Sequence, residues 1–181
     1  LHMFAAAQLI DRKGLKELVQ AIARSPNRDD FLLSVVGEGP LADDLRQLIE
    51  KQSLTNTVKL LGKVPRTSVI ELLMSCDLAV LPTKEDNWSL SIVEAIAAGK
   101  PVVTTQYNGV SGDIVLDGVN GFVFDVANPR SVDQVLERVI GERKQLPAMG
   151  RAAHEIAMSI EPAPIAKQMR DGILALHQSG G

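Results

Sequence analysis

The residues best equipped for chemistry lie in one stretch, Pro82-Thr83-Lys84-Glu85-Asp86-Asn87-Trp88-Ser89-Leu90-Ser91-Ile92-Val93-Glu94-Ala95. It leaves an apolar run, crosses a polar loop and enters an apolar-periodic segment, the pattern of strand, loop and helix start. The first amides of a helix lack intrahelical acceptors and sit at the positive end of its dipole, so those of Ser89, Leu90 and Ser91 suit a diphosphate. Carboxylates at Glu85, Asp86 and Glu94 are poor ligands for phosphate but good acceptors for sugar hydroxyls. Amides for phosphates with carboxylates for two sugar rings is the chemistry of a nucleotide-sugar site. A second reading of the same residues stays open: Ser91-x-x-Glu94 is also a capping box, in which Glu94 ties back to the helix entrance.

A second candidate is Gly37-Glu38-Gly39-Pro40, whose glycines permit a tight turn and close approach of backbone to a phosphate. With Ala42 it spells G-x-G-x-x-A, a dinucleotide fingerprint. A nicotinamide site also places an acidic residue at the end of the next strand, and here that strand ends in Gly62-Lys63 without one. Proline at the start of a helix has a plain structural role besides.

Elements that would position these residues alternate along the chain. Strands are expected at Met3–Ile10, Phe31–Val36, Val58–Leu61, Leu78–Leu81, Pro101–Thr104 and Gly121–Phe124. Helices are expected at Leu15–Ala23, Leu41–Lys51, Ser68–Ser75 and Ile92–Ala98, and from Ser131 onward with breaks near Pro147 and Pro162–Pro164. Such alternation implies a doubly wound α/β fold, Rossmann-like, with a parallel sheet. Ligands of such sheets lie beyond the carboxyl ends of the strands, where both candidate loops fall.

Composition narrows the class. With 181 residues, 45% hydrophobic and 23% charged, the chain has the size and balance of one globular domain. A net charge of -3 gives no general electrostatic case for nucleic acid. The lone Cys76 excludes an internal disulfide and fits a reducing compartment, so a cytoplasmic location is expected. No apolar run approaches the roughly 20 residues that span a bilayer. Cys76 itself reads as a small buried hydrophobe, and His2, His154 and His177 as surface residues.

Taken in order, several segments resemble the donor-binding, C-terminal domain of retaining glycosyltransferases with the GT-B fold, of the family 4 type. Asp86-x7-Glu94 followed by Ala95-Ile96-Ala97-Ala98-Gly99-Lys100-Pro101 resembles the family's E-x7-E signature. Lys13-Gly14 matches its K-G, and Val36-Gly37-Glu38-Gly39-Pro40 its V-G-x-G-P. Leu61-Gly62-Lys63-Val64 resembles the turn beside the base, Cys76-Asp77-Leu78 and Leu81-Pro82-Thr83 the elements before the acidic loop, and Asp117-Gly118-Val119-Asn120-Gly121 the D-G-x-N-G turn.

The resemblance implies roles. Glu94 accepts the ribose hydroxyls, Asp86 or Glu85 holds the donor sugar, and the amides near Ser89-Leu90-Ser91 cradle the diphosphate. Lys13 neutralises charge on the departing diphosphate. Gly37, Gly39, Gly62, Lys63 and Val64 line the nucleotide side. No metal or other cofactor is expected, and the donor is UDP-, GDP- or ADP-linked. Where the family has Gly-Arg before its K-G, this chain has Ala7-Gln8, and a neutral amide does not replace a guanidinium. Arg12, beside Lys13, is the nearest basic substitute. Ser89 stands at the usual glycine of the phosphate loop.

The resemblance spans residues 1–181 as a single donor domain, without the acceptor-binding domain that precedes it in the family, and implies a fragment that binds nucleotide but does not turn over alone. Residues 161–181, with Ile165, Met169, Ile173 and Leu176 at helical spacing, are expected to form a helix that packs on the other domain or promotes self-association. The acceptor would be a saccharide or lipid-linked saccharide of bacterial polysaccharide or glycolipid synthesis, with peripheral membrane association of the whole enzyme. Two further readings stand beside this one: a nucleotide-binding module without chemistry, to which Gln8 points, and a structural domain of the same fold.

Overall fold

A computed structural model describes residues 1–159. The terminal helix expected within 161–181, the break at Pro162–Pro164 and His177 lie outside the described residues. Six parallel strands form one sheet: β1 (His2–Ala6), β2 (Leu32–Val36), β3 (Val58–Gly62), β4 (Leu78–Leu81), β5 (Val102–Thr105) and β6 (Gly121–Phe124). Their order is β3-β2-β1-β4-β5-β6. The helices are α1 (Leu15–Arg24), α2 (Ala42–Lys51), α3 (Arg66–Ser75), α4 (Leu90–Ala97), α5 (Pro129–Gly141) and α6 (Leu146–Ser159). This is the doubly wound, Rossmann-like arrangement.

Alternation of side chains along the strands divides the core in two. Met3 and Ala5 of β1, Leu33 and Val35 of β2, and Leu78 and Val80 of β4 meet α1, α2 and α5 on one face. Phe4, Ala79, Leu81 and Val102 meet α3 and α4 on the other. Both faces of every central strand are covered, which explains why the strands read as continuous apolar runs rather than as alternating ones. Helix α6 links the two layers: Leu146 and Met149 join the first cluster, Ala153 the second.

Among the described residues the expected elements occur, with shifts at their ends. The first strand stops at Ala6 rather than Ile10, because the chain then turns to bond the next loop: Leu9 N–H donates to the Glu38 carbonyl at 2.9 Å. Helix α3 starts at Arg66, directly after Pro65. His2 is a correction: it lies half-buried within β1 with Nε2 2.9 Å from Ser34 Oγ, so it is not a surface residue. His154 is exposed, and Cys76 is buried as expected. The Asp117–Gly121 turn is structural: buried Asn120 accepts from Leu116 N–H at 2.7 Å and donates to the Ile114 carbonyl at 2.8 Å. Asp117 takes Val123 N–H at 2.9 Å and pairs with Arg138.

Candidate active site

The strand order reverses direction between β1 and β4: the chain leaves β1 toward β2 and β3, then returns to β4 and runs toward β6. The carboxyl ends of the strands that flank such a reversal are where folds of this kind take ligands. The β1 loop enters a 3-10 turn, Asp11–Lys13, that ends at Gly14. The β4 loop runs from Pro82 to Ser89, the residue preceding α4.

Backbone contacts lock the two loops together. Gly14 has φ 65°, and a Cβ there would lie 1.8 Å from the Pro82 carbonyl oxygen. Only glycine permits both the left-handed backbone and that approach. The Arg12 carbonyl accepts from Lys84 N–H at 2.7 Å and from Thr83 Oγ1 at 3.0 Å. Lys84 Nζ reaches back to Asp11 (2.8 Å) and Glu17 (2.9 Å). Burial lowers the Lys84 pKa, but the hydrogen bonds to these carboxylates outweigh it, and the net shift is upward.

On this frame Lys13 Nζ donates to Asp86 Oδ2 at 2.5 Å, with the two side chains only 13% and 14% exposed. Arg12 Nη1 donates to the Glu85 carbonyl at 2.8 Å, so both basic side chains point at the acidic loop. Glu85 itself is exposed, its carbonyl also taking Thr83 Oγ1 at 2.9 Å. Gln8 is exposed on the loop between β1 and the 3-10 turn.

Ser89 is buried and precedes α4, but its side chain makes no capping bond. Ser91 Oγ instead donates to the Ala6 carbonyl at 3.1 Å, fastening α4 to the end of β1. The capping-box reading therefore fails. Glu94 is one turn up the helix, and its two carboxylate oxygens take the two arms of the Arg66 guanidinium at 2.6 and 3.1 Å. The amides of Ser89, Leu90 and Ser91 have no acceptor among the described residues, which leaves donors free at the positive end of α4. Leu90 and Trp88 are strongly exposed beside them, at 71% and 50%.

Arg66 is the functional candidate that sequence reasoning missed. It is the first residue of α3, two positions after Val64, and its hydrogen bond to Glu94 raises the guanidinium pKa further. No spacing rule links positions 66 and 94, because the pair joins two different helices. The only hint in the sequence is a basic residue just after the Gly62-Lys63-Val64 turn. In that turn Gly62 has φ 67°, Lys63 is exposed and Val64 packs partly against the α3–α4 core.

The glycines of the second loop have a packing role. A Cβ at Gly37 would lie 1.8 Å from the Ala7 carbonyl oxygen, and one at Gly39 would lie 2.4 Å from that of Leu9. Close packing of the β2 loop on the β1 loop accounts for both glycines without a phosphate. Among the described residues, no three His, Cys, Asp or Glu side chains converge as a metal site. No described helix is long and apolar enough to cross a membrane.

Residues 2–156 match the family model described as glycosyl transferases group 1. The chain belongs to that family. A relative, N-acetyl-alpha-D-glucosaminyl L-malate synthase of Bacillus anthracis, is 30% identical over 140 residues, 72% of this chain and 36% of that protein. The lipopolysaccharide core biosynthesis glycosyltransferase LpsE of Rhizobium meliloti is 24% identical over 153 residues, 84% of this chain and 43% of that one. Among solved structures, Anabaena HepE in complex with UDP superposes with a TM-score of 0.83 at 25% identity, covering 96% of this chain and 48% of HepE. The chain thus spans less than half the length of each of these three proteins.

Proposed function

We propose that this chain is the donor-binding part of a retaining glycosyltransferase that takes its sugar from a nucleoside diphosphate. The observation that carries the reading is the Lys13–Asp86 pair between the β1 and β4 loops, beside the free amides that open α4. Each member of that pair holds a place for part of the donor. When a nucleotide-sugar enters, Lys13 turns to a diphosphate oxygen and Asp86 to a sugar hydroxyl, while Glu94 receives the ribose. During transfer the bond from the anomeric carbon to the β-phosphate oxygen breaks and its electron pair leaves with the diphosphate. Lys13 and the α4 amides stabilise that charge, an interaction stronger in the transition state than in the bound donor. The acceptor hydroxyl oxygen bonds the anomeric carbon, and its proton passes to the departing diphosphate oxygen.

The acceptor is a saccharide or lipid-linked saccharide of polysaccharide or glycolipid synthesis, bound by a further domain of the whole enzyme. That reading draws support from the lipopolysaccharide-core relative. The 181-residue chain binds nucleotide without efficient turnover, and the whole enzyme works in the cytoplasm, at most peripherally on a membrane.

Calorimetric titration with UDP, GDP and ADP tests the donor site. Selective binding of one nucleotide, weakened about tenfold or more by Glu94→Ala (~1.4 kcal/mol), is the expected result. No binding of any of the three, by a folded chain, sinks the reading. Exposed Gln8 favours a second reading, a module that holds nucleotide without transfer. Efficient sugar transfer by the intact enzyme would exclude it.

A further inference from the structure

Lys13 holds the acidic loop from one side, and the loop after β5 holds it from the other. Asp86 N–H donates to the Tyr107 carbonyl at 3.2 Å, and Gly109 N–H donates to the Asp86 carbonyl at 2.8 Å. Together they make a one-residue parallel bridge between Asp86 and Asn108, outside the sheet proper. Gly109 makes this possible. A Cβ there would lie 1.9 Å from the Asn87 carbonyl oxygen and 2.9 Å from its carbon. Backbone cannot give way to a methyl at that distance without rotating the Asn87–Trp88 peptide, one residue beyond Asp86.

The β5 loop is itself braced. Thr105 Oγ1 donates to the Thr83 carbonyl at 2.6 Å and accepts Tyr107 N–H at 3.3 Å. Asn108 is 2% exposed, and its Oδ1 accepts Val110 N–H at 3.3 Å, which sets the turn. Tyr107 Oη donates to Asp125 Oδ1 at 2.9 Å and pins the loop to the segment after β6. A loop held at three points is a firm edge on which Asp86 rests, and the aim of a binding carboxylate depends on such support.

We infer that Gly109, through the Asp86–Asn108 bridge, is a positioning residue for the donor sugar. It fixes the direction of the Asp86 carboxylate and leaves the nucleotide side of the site alone. The inference rests on the proposed role of Asp86. Glu94 lies on α4, which Ser91 fastens independently to β1, so a disturbance at Gly109 does not travel to it. The two halves of the donor should therefore respond differently.

The test compares UDP with UDP-glucose, GDP with GDP-mannose and ADP with ADP-glucose on the 181-residue chain, and takes the ratio of affinities as the contribution of the sugar. Gly109→Ala is expected to leave nucleoside diphosphate affinity within about twofold and to cut the sugar contribution about fivefold or more, as Asp86→Asn does. An unchanged sugar contribution in folded Gly109→Ala, where Asp86→Asn removes it, overturns the inference and spares the site reading. No sugar contribution in the wild type, or none sensitive to Asp86→Asn, overturns both. Should Gly109→Ala fail to fold, Tyr107→Phe, at a position 39% exposed, carries the test by releasing the far anchor. The same selective loss then supports the inference, and an unchanged sugar contribution overturns it.

Discussion

Lys13 and Asp86 are 73 residues apart in sequence and form a 2.5 Å ion pair across the point where the strand order reverses. Neither side chain is more than 14% exposed, so removing one strands the other in a poorly solvated place. Lys13→Met or Asp86→Asn alone should cost about 1–3 kcal/mol, less than a fully buried pair because some solvent reaches it. The double variant should recover part of that stability and none of the donor binding. A urea-denaturation double-mutant cycle beside a nucleotide-sugar titration separates the two effects. Additive losses of stability would contradict the coupling.

The Arg66 guanidinium fills both oxygens of Glu94, the same fork that a ribose diol would use. Arg66→Met is therefore expected to tighten nucleoside diphosphate binding by roughly two- to fivefold, the range of a released surface pair. The denaturation midpoint should stay close to the wild-type value. Weaker binding would mean instead that Arg66 holds Glu94 in a productive orientation.

Gly14 and Gly62 share nearly the same backbone, φ 65° and 67°, in different surroundings. A Cβ at Gly14 meets the Pro82 oxygen at 1.8 Å, whereas nothing lies within 4 Å of one at Gly62. Gly62→Ala should cost about 1–2 kcal/mol for the left-handed backbone alone. Gly14→Ala should cost more than about 3 kcal/mol, because the β4 loop must also shift. Equal losses in chemical denaturation would show that the loops do not depend on this approach.

Asn120 is fully buried and spends both ends of its amide on the backbone. Asn120→Ala should cost about 2–4 kcal/mol for the polar groups left unpaired. Nucleotide affinity of the folded variant should match the wild type, since the turn serves the fold and not the site. Loss of binding at full stability would place the turn in the site after all.

Burial raises the Cys76 thiol from 9.0 to about 11. Between those values the folded chain keeps a proton that the unfolded chain has lost, so stability should be fully present below pH 9 and fall as pH rises toward 11. Raised Lys84 acts in the same direction at still higher pH. At pH 8 a disulfide reagent should react with Cys76 only at the rate of unfolding, and fast reaction in the native state would contradict its burial.

The sequence by itself determined the fold class, because short runs such as Leu78–Leu81 and amphipathic stretches such as Leu15–Arg24 carry their periods locally. It also placed the acidic loop and its helix start, since Asp86, Ser89 and Glu94 belong to one continuous segment. Ends of elements were less legible where tertiary contact sets them: β1 stops at Ala6 because Leu9 bonds the β2 loop. Tertiary structure alone decided the partners. The pairing of Lys13 with Asp86, of Arg66 with Glu94 and of Gly109 with the backbone around Asp86 joins loops from different strands. It also ruled out the capping-box reading of Ser91-x-x-Glu94, because Ser91 found the Ala6 carbonyl and Glu94 found Arg66. The physical reason is that periodicity is a property of neighbours along the chain, whereas these contacts exist only once the sheet has brought the ends of β1, β4 and β5 side by side.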